Sequence, residues 1–256
     1  MHIARIAFVF FACCVYESHA QELQRLLQSG DSCYAQERTE EALRYYNDAY
    51  VRAPQQSETL LRLARTYSDL GWLHLKKDST AEMYYLHAEA CAETLLQIDP
   101  NAASSHFWMA LTKGSLIPFR TVSEKIHIGK EVRYHAQKTV ELDSTFSLAY
   151  IILAIFEREC AQLSWMERAI ARIIFGEDLS GSLVYSEELL SKAAMYDPEN
   201  SYAYYEMYWT YTALGKKDAA AESLRRVLAL PVKSQREGRQ HQLAGEYLAK
   251  LELTTR

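Results

Sequence analysis

The 256-residue chain is 49% hydrophobic, which is enough apolar material for a sizeable buried core and argues against a disordered protein. It has only 9 glycines and 5 prolines. Ala, Leu, Glu, Arg, Gln and Tyr are abundant instead, a composition typical of helical proteins. The formal net charge of −5 disfavours a protein that binds the phosphate backbone of nucleic acid. We therefore predict an all-α protein without a nucleic-acid partner.

The first 20 residues have the pattern of a secretory signal peptide. Arg5 provides a short basic start, an apolar run follows over residues 6–16, and Ala20 ends a segment of small residues suited to cleavage. The alternatives are a lipoprotein signal that uses Cys13 and an uncleaved anchor. No later stretch reaches the ~20 apolar residues of a spanning helix. We expect cleavage after Ala20 and an exported protein, periplasmic or secreted, or membrane-anchored if the segment is retained.

Three cysteines lie beyond this segment, at Cys33, Cys91 and Cys160, each in an apolar helical context. An odd, widely spaced set forms neither a disulfide framework nor a paired metal-binding motif. We interpret all three as buried structural thiols, with a redox role as the alternative.

Helix-to-helix corners recur along the chain and are marked by proline or serine. They lie at Pro54, Pro100, Ser144, Pro198 and Pro231. Proline ends a helix because it lacks the backbone donor and clashes with the preceding turn. Small or apolar residues recur at fixed distances after four of these corners. Gly71 and Gly215 stand equally far beyond Pro54 and Pro198, where we expect each to end a helix with positive φ.

This register resembles the tetratricopeptide repeat (TPR), in which units of about 34 residues, each a pair of helices, stack into a superhelix. The middle corners are farther apart than one standard unit, which predicts lengthened or inserted helices there. We predict a single TPR-like domain of antiparallel helix pairs over residues 21–253. The units cover about 21–54, 55–100, 101–144, 145–198 and 199–232, followed by a terminal helix at 235–253.

Four blocks between about residues 97 and 250 resemble the regulator of microtubule dynamics family. They are SHFWMA (105–110), KIHIGKEVRYHAQKTVELDS (125–144), LSWMERAIARIIFG (163–176) and LLSKAAMYDPEN (189–200). The resemblance implies a TPR-like fold. Eukaryotic members are linked to microtubules, mitochondria and organelle contacts. Because this chain begins with a secretory pattern, we do not transfer a microtubule role to it.

The concave face of a TPR superhelix is lined by the first helix of each pair, so its residues are the candidates for a binding groove. The predicted groove residues are Arg62, His106, Trp108, Lys113, Tyr150, Tyr204, Tyr205, Tyr208 and Trp209. Aromatic side chains supply large contact areas in recognition sites. The alternative is that Tyr204, Tyr208 and Tyr211 share one helical face and simply pack against the second helix of the pair. The sequence leaves open whether the terminal helix itself occupies the groove.

Two further segments have two interpretations each. Residues 113–138 carry six cations against two anions, which suits either an acidic tail or lipid headgroup, or a solvated helix face. Residues 165–175 mix apolar side chains with arginine at helical spacing. They suit either a membrane surface or an inserted helix that covers the neighbouring pair.

Sequence motifs for catalysis and metal binding are absent. The 8 histidines include no HExxH or His-x3-His pair, and His127 and His135 are too far apart along one helix to share a metal without a bend. There is no GxSxG, P-loop or GxGxxG motif. We predict that the chain is not an enzyme and needs no metal or cofactor.

The predicted function is a non-enzymatic scaffold that holds a peptide or protein partner in the concave groove. The alternative is a carrier or binder of a lipid or other apolar ligand inside the superhelix. The two differ in structure, because a lipid carrier requires a continuous apolar tunnel, whereas a peptide groove is open and has a polar floor.

Overall fold

The computed structural model describes residues 20–74, 79–175 and 180–253. Within these ranges the protein consists of twelve α-helices and one short 3-10 helix, and contains no strand. The all-α prediction is confirmed. All but the last residue of the predicted signal peptide lies outside the described residues.

The helices are α1 (20–35), α2 (Thr39–Arg52), α3 (Ser57–Leu73), α4 (Ser79–Ile98), α5 (Ala103–Leu116), α6 (Val122–Leu142), α7 (Ser147–Ala161), α8 (Trp165–Phe175), α9 (Leu183–Tyr196), α10 (Ser201–Ala213), α11 (Lys217–Ala229) and α12 (Gln235–Leu253). From α2 onwards consecutive helices pack against each other, except that α8 packs on α6 and α7 packs directly on α9. The 3-10 helix, Ile117–Phe119, follows α5. Each proposed repeat unit contains one helix pair, and the unit at 145–198 has α8 in addition.

The corner residues account for where helices stop and start. α4 ends at Ile98 and α9 ends at Tyr196, each just before an Asp-Pro pair that cannot continue a helix. Past the second of these corners, the Asn200 side chain accepts the backbone N–H of Tyr202 at 3.1 Å and caps α10. The corners thus combine a helix breaker with a cap for the next helix.

The two glycines expected to end helices have different roles. Gly215 follows α10 with a φ of 73°, as predicted. Gly71 lies inside α3, so the expectation for it is wrong. A Cβ atom at Gly71 would lie 2.6 Å from Cε1 of Tyr85 on α4, and one at Gly30 of α1 would be closer still to Tyr46 of α2. These glycines let a buried tyrosine of the second helix press against the first.

The middle repeats have longer and additional helices, as predicted. α4 has 20 residues and α6 has 21, whereas α2 and α5 have 14 each. α8 is inserted between α7 and α9 and packs on α6, where Ala171 and Ile170 meet Ile126. Its other face exposes Trp165 and Ile173. None of the described helices combines the length and the apolar content that a membrane span requires.

The core is a chain of apolar clusters between neighbouring helices along the superhelix. Its largest fully buried side chains include Tyr46 and Ile151. Cys33, Cys91 and Cys160 are buried and unbridged, in agreement with the structural interpretation. Burial raises the pKa of the Cys91 thiol to about 12, which makes it a poor nucleophile at neutral pH.

Candidate functional site

The first helices of the pairs form one continuous inner face. α3 contacts α5, α5 contacts α7, and α7 contacts α10. This contact order is the arrangement that gives a TPR superhelix its concave surface. The predicted groove residues all lie on these helices, but the structure places them in very different surroundings.

The chain's own last helix fills part of the groove. α12 packs on α11 and α10, and it also contacts α3 near the opposite end of the superhelix. Arg236 at its start lies 3.3 Å from Oδ1 of Asp69, whose carboxylate also accepts a hydrogen bond from the Tyr34 hydroxyl. The same guanidinium lies 5.3 Å from the ring centroid of Trp72 on α3 and 5.0 Å from that of Tyr202 on α10. Arg236 thereby joins the two ends of the superhelix.

A second buried ion pair lies between α7 and α10. Arg158 and Glu206 are 2.9 Å apart, and their side chains are only 8% and 9% exposed. Arg158 also donates to the backbone carbonyl of Glu206 at 3.3 Å. Charged groups this deeply buried need such partners. The inner part of the superhelix is therefore polar and crosslinked by ion pairs.

The aromatic residues of α10 pack mainly against α11 and α12. Tyr205 and Tyr208 are buried, at 6% and 8% exposure. The Tyr208 ring stacks on Tyr247 of α12 with centroids 5.4 Å apart, and Trp209 meets the same ring edge-on at 5.4 Å. The packing alternative therefore describes Tyr208, and Tyr205, which that alternative did not include, is buried in the same cluster.

Three predicted groove residues share one structural role. Each stands six positions after a corner and donates a hydrogen bond to the backbone carbonyl of that corner, which ties the first helix to the turn before it. The bonds join His106 to Pro100 at 3.0 Å, Tyr150 to Ser144 at 2.9 Å and Tyr204 to Pro198 at 3.2 Å. The repeat register that singled them out thus coincides with a shared corner geometry.

His106 also pairs with a second histidine. Its Nδ1 atom lies 2.8 Å from Nδ1 of His135 on α6. Because the Pro100 carbonyl can only accept, Nε2 of His106 carries the proton, and Nδ1 accepts from His135. Among the residues that the structure describes, no three His, Cys, Asp or Glu side chains are grouped to hold a metal ion.

Lys113 is held by acidic partners. Its Nζ lies 2.8 Å from Glu131 and 3.2 Å from Glu89, and its side chain is 18% exposed. Arg120 and Lys138 of the same cationic stretch also form ion pairs with glutamates. Much of the positive charge of residues 113–138 is therefore neutralised within the fold.

An open cleft of about 750 Å³ remains in the concave face, between α1, α3, α5 and the start of α12. Of the nine predicted groove residues it contains Arg62 and Trp108. We call it the α1–α3–α5 cleft. It is lined by Asp31, Tyr34, Ala35, Leu61, Arg62, Arg65, Trp108, Lys233, Ser234 and Glu237.

The two arginines of the cleft differ in how firmly they are held. Arg62 forms a two-pronged pair with Asp31, both contacts at 2.8 Å, and approaches Glu58 at 3.1 Å. Burial opposes the charge on Asp31, but hydrogen bonds from Arg62 and Tyr46 keep the pKa of that carboxyl below its usual value. Arg65 lies 3.9 Å from the ring centroid of Tyr34 and 3.9 Å from the nearest Asp31 oxygen.

Comparison with known proteins gives the family. The family model described as regulator of microtubule dynamics protein 1-3 matches residues 26–252, which is most of the chain. The chain belongs to this family. The resemblance in the four sequence blocks predicted this membership correctly.

Curated members of the family are similar over most of this chain. Regulator of microtubule dynamics protein 3 of Rattus norvegicus is 27% identical over 218 residues, which cover 84% of this chain and 46% of the rat protein. Regulator of microtubule dynamics protein 2 of Mus musculus is 24% identical over 240 residues, 91% of this chain and 58% of the mouse protein. The chain spans about half the length of the curated relatives it matches.

Solved structures confirm the fold. A thermophilic TPR protein of Thermus thermophilus superposes with a TM-score of 0.61 at 16% identity, over 87% of this chain and 98% of that one. PilW, a type IV pilus biogenesis factor, gives a TM-score of 0.50 at 17% identity over 90% and 92% of the two chains. At these identities the likeness establishes a TPR-like superhelix and does not extend to partners.

The predicted localisation is wrong. The rat and mouse relatives reported above are named as regulators of microtubule dynamics. A periplasm is a bacterial compartment and microtubules lie inside eukaryotic cells, so neither a periplasmic nor a secreted protein fits the family. The prediction rested on the apolar run at residues 6–16, and apolar character over so short a run is not specific to export. That run lies outside the described residues.

Proposed function

We propose that this family member is a non-enzymatic scaffold that holds an extended peptide or protein segment in the α1–α3–α5 cleft. The cleft is the observation that supports the proposal. It lies on the concave face through which superhelical repeat proteins bind, and Tyr34 and Trp108 give it aromatic walls. Aromatic side chains and arginine are the residues that dominate recognition sites.

The cleft and the groove interior favour a peptide over an apolar ligand. A lipid carrier requires a continuous apolar tunnel, whereas the α1–α3–α5 cleft is lined by five charged side chains. An acyl chain in the inner part of the superhelix would meet the Arg158–Glu206 ion pair and the side chains of α12. A peptide backbone, in contrast, supplies donors and acceptors that suit a charged wall.

The family also suggests where to look for the partner. The curated relatives are named as regulators of microtubule dynamics, and this chain corresponds to about half of their length. The partners to test first are therefore proteins associated with microtubules.

Photo-crosslinking in cells tests the proposed function. Leu61, which lines the cleft, is replaced by benzoylphenylalanine, and the protein is irradiated, purified and analysed by mass spectrometry. Val51, an exposed position on α2, receives the same probe as the control. We expect proteins that crosslink from position 61, do not crosslink from position 51, and are lost when Trp108→Ala is added.

Two results would contradict the proposal. One is the same set of crosslinked proteins from both positions, since the cleft would then have no preference for a partner. The other comes from lipid extraction of the same purified sample. Lipid in equal molar amount with the protein, with no crosslinked protein, would favour the apolar-ligand alternative.

A further inference from the structure

Of the three cations that line the cleft, Arg65 lies farthest from a carboxylate of the chain. Its nearest carboxylate oxygen, on Asp31, is 3.9 Å away, and its closest side-chain hydrogen bond is to the Tyr46 hydroxyl at 3.4 Å. Its Nε atom is buried, and the part of the chain that the structure describes offers it no hydrogen-bond partner. A buried donor without a partner is costly, so Arg65 is less well satisfied within the fold than Arg62, which has two hydrogen bonds to Asp31 at 2.8 Å.

The two carboxylates that line the cleft already form hydrogen bonds within the fold. Asp31 is held at 2.8 Å by both prongs of Arg62. Glu237 caps α12, because it accepts the backbone N–H of Lys233 at 2.6 Å while its own N–H is bonded to Ser234 at 3.2 Å. Asp31 therefore neutralises Arg65 only at the longer distance of 3.9 Å, and Glu237 is engaged at the start of α12.

The remaining cation of the cleft is held only loosely. Lys233 pairs with Glu199 at 3.0 Å, but both side chains are more than half exposed, and exposed ion pairs are weak. Three cations and two anions line the cleft, so its wall carries one net positive charge, although the chain as a whole has a net charge of −5. This local surplus attracts a negatively charged partner.

We propose that the partner segment is acidic and that one of its carboxylates binds the guanidinium of Arg65, with Lys233 adding to the attraction. This inference rests on the proposed function and names the chemistry of its partner. Arg65 lies over the Tyr34 ring, so its planar fork is held in place for a carboxylate. Trp108 and Leu61 offer an apolar wall for the neighbouring side chain of the segment.

Peptide selection provides the test. The full chain is used to select from a random peptide library displayed on phage, and selected peptides are synthesised with fluorescent labels. We expect enrichment of Asp and Glu. Replacing these residues by Asn and Gln is expected to weaken binding about ten- to hundredfold, the loss of one charge-assisted contact. In Arg65→Gln the same replacement is expected to change affinity little, because its partner is gone.

Three controls accompany this measurement. Arg225→Gln removes an exposed arginine on α11, outside the cleft, and is expected to bind like the unaltered chain. Arg65→Lys keeps the charge but loses the planar fork, so intermediate affinity is expected. Circular dichroism with thermal unfolding verifies that each variant is folded.

Amidating the peptide C-terminus distinguishes a terminal carboxylate from an acidic side chain as the group that binds Arg65. If amidation alone weakens binding, the terminal carboxylate is the ligand; if it has no effect, an acidic side chain is the ligand, and either result supports the proposal. Neutral or basic peptides that bind as tightly as acidic ones would overturn it while leaving the scaffold function intact. The proposal would also be overturned if replacing the acidic residues of the peptide weakened binding equally for the Arg65→Gln variant and the unaltered chain. A library without any binder, alongside successful crosslinking from position 61, would also overturn it.

Discussion

Gly71 sets the distance between α3 and α4, because the ring of the buried Tyr85 occupies the space that a side chain would need. We expect Gly71→Ala to lower the free energy of unfolding by about 1–3 kcal/mol. The gain in helix propensity is smaller than this cost, at about 0.5–1 kcal/mol. Urea denaturation followed by circular dichroism measures the effect.

Gly245→Ala is the matched control for this prediction. Gly245 also lies inside a helix, α12, but a Cβ atom there would meet nothing within 4 Å. The substitution is expected to leave stability unchanged or to raise it slightly. If both alanine variants are equally stable, the prediction that Tyr85 packs too closely on α3 to admit a side chain at position 71 is wrong.

The His106–His135 pair makes stability depend on pH. Burial, followed by the neighbouring His106 and Lys113, lowers the pKa of His135 from 6.5 to about 4, and Glu131 acts in the opposite direction. The folded protein therefore binds fewer protons than the unfolded chain between these values. Its stability is fully present above about pH 6.5 and falls as the pH drops towards 4, by about 1 kcal/mol once partial exposure is discounted.

Urea denaturation at a series of pH values checks this dependence. His135→Gln is expected to flatten the curve between pH 4 and 6.5. His127→Gln, at an exposed histidine of the same helix, serves as the control and is expected to leave the slope unchanged. An unchanged slope in the His135→Gln variant would show that the pair does not control stability in this range.

At the level of single residues, the sequence predicted positions better than roles. The corner register selected His106, Tyr150 and Tyr204 as groove residues, and the structure gives all three a bond to the preceding corner. A residue can recur at one repeat position because it binds a ligand or because it fixes the corner, and a single sequence does not distinguish the two. Arg65 differs from its neighbour Arg62 mainly through contacts with α1 and α2, a long-range property that spacing along α3 does not contain.

The element that most shapes the groove is α12. Arg236 at its start is paired with Asp69, and their side chains are only 16% and 8% exposed. We expect Arg236→Ala to lower the free energy of unfolding by about 3 kcal/mol, because it leaves the Asp69 carboxylate buried without its partner. The first turns of α12 should also exchange amide hydrogens faster.

Arg225→Ala is the control for the α12 prediction. Its ion pairs with Glu222 and Glu252 are exposed, so little change is expected. A loss of stability in the Arg236→Ala variant that is no larger than in this control would contradict the role of α12 as a tie across the groove.

Local signals predicted most helix boundaries but not the position of α12. Asp-Pro pairs stop α4 and α9 where expected, because proline acts within one turn. Gly71 was misread as a helix end because glycine serves turns and close packing alike. The contact between Asp69 and Arg236 spans 167 positions in sequence, and no repeat spacing indicates such a pairing.

On the scale of the whole molecule, stacking of helix pairs was predictable and the cleft was not. Each pair buries an apolar face that it cannot bury alone, and that requirement recurs in the sequence as the corner register. The cleft is what remains after α12 has covered part of the concave face, so its location depends on the assembled fold. The N-terminal apolar run carries no repeat, and the localisation inferred from it was wrong.

Hydrogen exchange with and without a selected acidic peptide tests the central claim most directly, that the concave cleft is the partner site. We predict that saturating peptide slows exchange in α1, α3, α5 and the first turns of α12, the elements that line the cleft. The outer helices α2, α4 and α6 are expected to change little. Protection confined to those outer helices, or no protection at saturation, would contradict the account.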